Sequence, residues 1–260
     1  MSESAVLIET AGSAGVITIN RPERLNALDL PTCQALDAAV SRVEADEGVR
    51  VVVITGAGRA FVAGGDIADL DSRQGLAHYE EFAEQIHRLF RRIETLDKPT
   101  IAAVNGYALG GGAELMLSTD IRLLSAKAKI GVPEINLGLF PGAGGTQRLI
   151  RQIPLCRAKE LMFTGVPIGA EEAVALGLAN RVVEPEALMD DALALAETIA
   201  SKSPLALRYL KRTIDAGADM PLPAALAHEQ AMISLVLDSE DAHEGCRAFL
   251  EKREARFTGV

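Results

Sequence analysis

"TIAAVNGYALGGGAELMLSTDIRLLS", residues 100–125, carries the fold in one stretch. Its start, TIAAVNG, reads as a short buried strand, and DIRLLS at its end reads as another. The apolar run between them has a helical look. Strand, helix and strand joined by short links are a unit of an α/β layered core. The three consecutive glycines Gly110, Gly111 and Gly112, with Glu114 just beyond, need a further reason. Glycine in a helix costs about 1 kcal/mol relative to alanine, and a carboxylate suits an apolar surface poorly.

The same alternation extends outward. AVLIE and GVITINRP read as two strands around the turn-rich TAGSAG, and a helix is expected over about 31–45, with Asp29 or Leu30 before it. VRVVVITG has the β-branched run of a buried parallel strand, and a long helix is expected over about 77–96. Shorter helices are expected over about 145–177, then a last strand at ANRVV. From about Pro185 onward the patterns are helical throughout, with Ser203-Pro204 as a start signal and Gly217 as a stop. The expected organisation is a core over 1–190 and a helical region over 191–260. The apolar positions of that helical region exceed what it could bury alone, so it is expected to pack on the core or on another subunit. No repeat of fixed period is visible.

Bulk properties exclude several classes. Of 260 residues, 48% are apolar, enough for a sizeable core, and Trp is absent. Lys and Arg number 26 against 36 Asp and Glu, a net charge of −10, which argues against nonspecific nucleic-acid binding. Cys33, Cys156 and Cys246 fit neither a disulfide framework nor a zinc spacing. No basic residue precedes Arg21 and no apolar run has the length of a signal peptide or a membrane span, so a cytoplasmic protein is expected. The four histidines show no ligand spacing, and no metal is expected. Phosphate-loop, dinucleotide and nucleophile-elbow patterns are all missing.

What remains is a set of three glycine-rich turns: FVAGGDIADL, the opening stretch, and PEINLGLFPGAGGTQRL. Glycine lets a backbone approach a ligand closely, and a helix start presents unpaired N–H groups with a positive dipole. Two such groups aimed at one oxygen make an oxyanion hole. Each turn alone is also what a tight strand-to-helix connection needs. Glu114, in or near a first helical turn, fits dipole complementarity, and Glu134, after Pro133 in an extended stretch, fits an ordinary loop acid. Together, two carboxylates beside an oxyanion hole are the ingredients for proton transfer next to a carbonyl.

FVAGGD, NGYALGGGAEL and PEINLGLFPGAGGTQRL, with ITINRPERLNAL near the start and EGCRAFLEKREARFTG near the end, resemble the signature blocks of the enoyl-CoA hydratase/isomerase (crotonase) family. Order and spacing match over nearly the whole chain. The resemblance implies an α/β spiral of repeated ββα units with a C-terminal helical oligomerisation region, building homotrimers or homohexamers. It implies an acyl-CoA thioester substrate, no separate cofactor, no nucleic acid and no membrane. By position, Gly65 and Gly111 are the oxyanion-hole donors, and Glu114 and Glu134 are the catalytic acids. Ala63, Gly64, Asp66 and Ile67 fall along the pantetheine and adenine end, Gly142 beside the reacting water, and Phe249 and Lys252 at the adenine-phosphate end. Val62 stands where small residues are common and bears on the shape of the entrance. Segment 68–80, acyl-facing in this family, is polar and acidic here. The implied activity is hydration of a 2-enoyl-CoA. The nearest rival is an isomerase of the same fold, which usually manages with one acid. A noncatalytic or RNA-binding member is the rival from a different class.

Overall fold

The computed structural model describes residues 4–72 and 75–260; Arg73 and Gln74, inside segment 68–80, lie outside the described residues. A six-stranded sheet contains β1 (Val6–Ala11), β2 (Ala14–Ile19), β3 (Val51–Gly56), β5 (Thr100–Val104), β7 (Ile121–Ser125) and β10 (Arg181–Val183), in that spatial order. Only the β1–β2 pair is antiparallel. A second sheet contains β4 (Ala60–Val62), β6 (Tyr107–Leu109), β8 (Lys129–Gly131) and β9 (Ile168–Gly169), parallel except for β8–β9.

The chain steps from one sheet to the other and back. From β3 it enters β4, crosses α2 (Ile67–Ser72) and α3 (Leu76–Glu94), and returns to the first sheet as β5. From β5 it enters β6, crosses α4 (Gly111–Leu117), and returns as β7. From β7 it enters β8, runs through α5 (Gly145–Gln152), α6 (Leu155–Thr164), β9 and α7 (Ala170–Ala175), and returns as β10. This is a spiral of ββα turns. The first-sheet strands appear in the sequence as β-branched runs, and β3 is buried at all six positions. The second-sheet strands of three residues do not.

Alternate faces of the first sheet fill two cores. Val52, Ile54, Ala102 and Val104 face the interior shared with α1 (Leu30–Ala45), α3 and α4. Val51, Val53, Ile101 and Ala103 face α8 (Leu188–Ala200), which brings Leu188, Ala192, Ala196 and Ala200 to them. The division expected between 190 and 191 therefore falls inside a helix whose apolar stripe closes the core sheet. Helix α1 starts as its sequence implies: Asp29 is the N-cap, its side chain accepting from the Thr32 N–H, with Pro31 in the first turn.

Helices α9 (Pro204–Gly217), α10 (Leu222–Leu237) and α11 (Glu240–Glu251) complete the C-terminal region. Polar ties hold α9 to the core. Lys211 Nζ donates to Asp120 Oδ2 at 2.8 Å, and that oxygen also accepts from the Thr100 N–H and hydroxyl. Helices α9 and α10 pack on each other yet leave Leu210, Ile214, Leu222, Leu226 and Leu237 exposed in the single chain. Among the described residues no helix is long and apolar enough to cross a membrane.

Candidate active site

The second sheet decides where the glycine turns go. Strands β4, β6 and β8 are parallel neighbours, so the residues after their C-terminal ends lie side by side. Those residues are Ala63-Gly64-Gly65, Gly110-Gly111-Gly112 and Val132-Pro133-Glu134. Ligands gather at this edge in open parallel sheets because no strand continues there to fill the space.

Two backbone donors are left open at this edge. The 63–66 segment runs alongside Leu28, using the Gly64 carbonyl (2.8 Å from Leu28 N) and the Asp66 N–H (2.9 Å from Leu28 O), which leaves the Gly65 N–H outside that bridge. Gly111 is the first residue of α4, so its N–H has no intrahelical acceptor. A Cβ on Gly111 would lie 3.7 Å from Gly65 N, so the two turns are in contact. Gly112 is required by close packing: a Cβ there would lie 1.9 Å from the Val62 carbonyl oxygen. Gly110 takes φ 52°, ψ −123°, a conformation open to glycine, and admits the chain from β6 into α4. Val62 is fully buried beneath this contact, so it shapes the seat of α4 instead of the entrance.

Glu114 lies in the first turn of α4 and is 2% exposed. Its Oε1 accepts from the Ala143 N–H at 2.7 Å and the Gly145 N–H at 2.8 Å. Burial pushes its carboxyl above the ordinary range, opposed by these two N–H groups and by the charges of His87 and Arg148. Glu134 lies not in extended chain but in a 3₁₀ turn, Pro133–Leu137, with Pro133 opening it and Gly138 closing it in the left-handed region. That turn swings its carboxylate to Gly110, where a Cβ would lie 3.0 Å from Glu134 Oε1. Glu134 Oε2 is buried without a hydrogen-bond partner. Burial first, and then the charge of Glu114, raise its pKa to about 7.

Interacting carboxyls titrate as a pair. With both pushed upward, the pair keeps a proton to higher pH than an ordinary carboxyl does. The partners decide where it sits: Glu114 has two N–H donors on one oxygen, which favour its anion, while the unpartnered Oε2 of Glu134 favours the acid. One carboxyl with partners that favour its anion and one with an oxygen that favours its acid therefore lie at the sheet edge that carries the two open N–H donors.

The other expected residues divide. Ala63 and Gly64 line the same turn as Gly65, and Ile67 is exposed at the start of α2. The Asp66 carboxylate is engaged within the protein. It pairs with Arg21 at 3.2 Å and accepts from the Ala68 N–H, and Arg21 also pairs with Asp29 at 2.9 Å. Gly142 is exposed on the turn before α5, and the donors that reach Glu114 from that turn are those of Ala143 and Gly145. Phe249 (84% exposed) and Lys252 lie on and just after α11, whose packing partner is α10. The sequence reading did not single out Ala143, Gly145, Arg148 or Glu94; the dense GAGG run before a helix was the available signal for the first two. Among the described residues no group of three or more His, Cys, Asp or Glu side chains is placed to hold a metal ion.

Comparison with known proteins agrees with this fold. The family model described as "Enoyl-CoA hydratase/isomerase" matches residues 9–260. A short-chain-enoyl-CoA hydratase of Clostridium acetobutylicum is 42% identical over 98% of this chain and 97% of its own length. A crotonyl-CoA hydratase of Syntrophomonas wolfei is 41% identical over 99% of both. The crystal structure of an enoyl-CoA hydratase from Bacillus anthracis superposes with a TM-score of 0.95 at 37% identity, covering 99% of this chain and 100% of that one. The spiral of ββα turns and the full-length match agree, and the chain belongs to the enoyl-CoA hydratase/isomerase family.

Proposed function

We propose that the chain hydrates 2-enoyl-CoA thioesters, with Gly65 and Gly111 binding the thioester oxygen and Glu114 and Glu134 handling the water. Polarising that carbonyl makes C3 electrophilic. As the water oxygen bonds to C3, the C2=C3 electrons move toward the carbonyl and an enolate develops. Fixed N–H donors stabilise this charge more than the ground state, and such a donor contributes roughly 10²–10³-fold in rate. Ionised Glu114 takes one proton from the water, and protonated Glu134 gives one to C2. Hydroxide at C3 and a proton at C2 balance the addition, and proton exchange between the carboxyls resets the pair. Coenzyme A belongs to the substrate, and these steps need no other cofactor.

The observation that carries this reading is the asymmetric carboxyl pair, one member held by two N–H groups and the other bare on one oxygen. An isomerase needs one such group, so the pair favours the hydratase. Names of the two bacterial relatives point to short acyl groups such as crotonyl. The exposed apolar face of α9 and α10 supports assembly as homotrimers or homohexamers. In such an assembly Phe249 and Lys252 would meet the coenzyme's adenine-phosphate end. Ala63, Gly64, Asp66 and Ile67 would flank the coenzyme, and Gly142 would help hold the water. The net charge of −10 speaks against RNA, and a cytoplasmic location fits the sequence. The test is purified protein with crotonyl-CoA and, separately, a 3-enoyl-CoA. Fast loss of the conjugated double bond of crotonyl-CoA, with slow or no conversion of the 3-enoyl compound, is expected. The reverse preference would make the chain an isomerase.

A further inference from the structure

The turn that holds Glu114 is itself held from its other side. Arg148 on α5 lies only 14% exposed and forms a two-pronged pair with Glu94 at the end of α3: Nε to Oε1 at 2.9 Å and Nη2 to Oε2 at 2.8 Å. Its remaining nitrogen, Nη1, donates to the Ala143 carbonyl at 3.1 Å. The N–H of that same Ala143 donates to Glu114 Oε1. Two adjacent glycines make the arrangement possible. A Cβ on Gly144 would lie 2.0 Å from Arg148 Nη1, and one on Gly145 would lie 2.9 Å from Glu114 Oε1. The 143–145 backbone is therefore pressed between a guanidinium and a carboxylate. A forked Arg–carboxylate pair fixes direction as well as charge, which a lysine cannot do.

We propose that Arg148, locked by Glu94, is a positioning residue for the hydration reaction: it seats the turn whose N–H groups hold Glu114 and sets a positive charge against the far side of that turn. This rests on the hydratase reading. Neither residue touches the substrate in this scheme. The charged and titratable groups facing Glu114 are Arg148 from α5, His87 from α3 and Glu134 from the 3₁₀ turn, with Glu94 behind Arg148. Removing the arginine takes a positive charge away from Glu114 and leaves the Glu94 charge behind it unbalanced. Removing the Glu94 charge leaves the arginine unbalanced. The two changes push Glu114 in opposite directions, which a merely structural role does not do.

The experiment is the pH dependence of kcat/KM for crotonyl-CoA in the full-length protein and in Arg148→Met, Glu94→Gln and Arg148→Lys. The acidic limb reports protonation of the base. For Arg148→Met it is expected to move to higher pH by about one unit, the size of effect a neighbouring charge has on a carboxyl. For Glu94→Gln it is expected to move to lower pH. Arg148→Lys keeps the charge and loses the fork, so its limb should stay in place while kcat falls about tenfold with KM unchanged. The Glu114 carboxyl followed by ¹³C NMR should show the same opposed displacements without any turnover. Absence of crotonyl-CoA hydration in the unmodified protein would remove the hydratase reading. Coincident limbs, or limbs displaced in the same direction for Arg148→Met and Glu94→Gln, would overturn the role assigned to Arg148.

Discussion

Replacing Gly112 with alanine sets two effects of opposite sign against each other. Alanine is the better helix former by about 1 kcal/mol, so propensity alone favours the variant. Yet the new methyl would lie 1.9 Å from the Val62 carbonyl oxygen and 2.7 Å from its carbon, both backbone atoms of β4 that no side-chain rotation can move. Carbon and oxygen atoms rest well beyond 3 Å, so α4 and β4 must part by roughly 1 Å or more. Overpacking of this kind costs about 1–3 kcal/mol, which cancels or exceeds the helix gain. The functional effect is larger than the stability effect. Strand β4 leads into Gly65 and α4 begins at Gly111, so the clash opens the space between the two proposed oxyanion donors. A displacement of about 1 Å at a reacting geometry costs on the order of 10²-fold in rate. The assay is steady-state hydration of crotonyl-CoA, with circular dichroism and thermal unfolding to show that the variant folds. Gly217→Ala is the control, because its methyl would lie 3.7 Å from Ala225 Cβ, an ordinary contact far along the chain on α9. The expected result is a folded Gly112→Ala protein with kcat down about 100-fold and a control within about twofold of the unmodified protein. A folded Gly112→Ala protein retaining a third or more of the activity would refute the claim that the β4–α4 contact aligns the donors.

Two further outcomes follow from the same structure. The proposed mechanism requires Glu134 protonated and Glu114 ionised, so activity should be bell-shaped in pH. It falls as pH rises through about 7, where Glu134 loses its proton, and falls again in acid as Glu114 gains one; a flat profile from pH 5 to 9 would contradict the assignment. Arg122 should matter for stability. Its guanidinium donates to the carbonyls of Met116, Leu117, Thr119 and Leu178 and to Gln152 Oε1, closing the C-terminal end of α4. Arg122→Met strands several of these acceptors at a cost of about 3–5 kcal/mol, a fall in Tm of about 10 °C by differential scanning calorimetry.

The parts of the fold legible in the sequence are those where local pattern and final environment agree. VVVIT is β-branched because β3 is buried on both faces, and the start of α1 is announced by Asp29 and Pro31. Strands β4, β6 and β8 are not legible because three residues are too few for a period, and each is followed within two residues by glycine or proline. Their segments read as turns, so the second sheet was invisible, although it is what brings the glycine turns together. At Glu134 the sequence suggests extended chain, because a five-residue 3₁₀ turn has no periodic signal even with Pro133 at its start. The glycines and the two glutamates were legible as ingredients. Their convergence was not, because it depends on β4, β6 and β8 being parallel neighbours. The Glu94–Arg148 pair lies 54 residues apart in the chain, and charged residues at that separation carry no local mark of contact. Asp66 shows the converse: a residue in the right block whose side chain serves Arg21 and the start of α2.

Glu134, bare on its buried Oε2, is the acid proposed to protonate C2 during hydration. Glu134→Gln removes that proton and keeps the size of the side chain. The decisive measurement is the rate at which this variant hydrates crotonyl-CoA relative to the unmodified protein, at equal thermal stability. A loss of at least about 10²-fold in kcat, the lower end of what acid–base catalysis contributes, is expected; a variant that turns over at the unmodified rate would contradict the account.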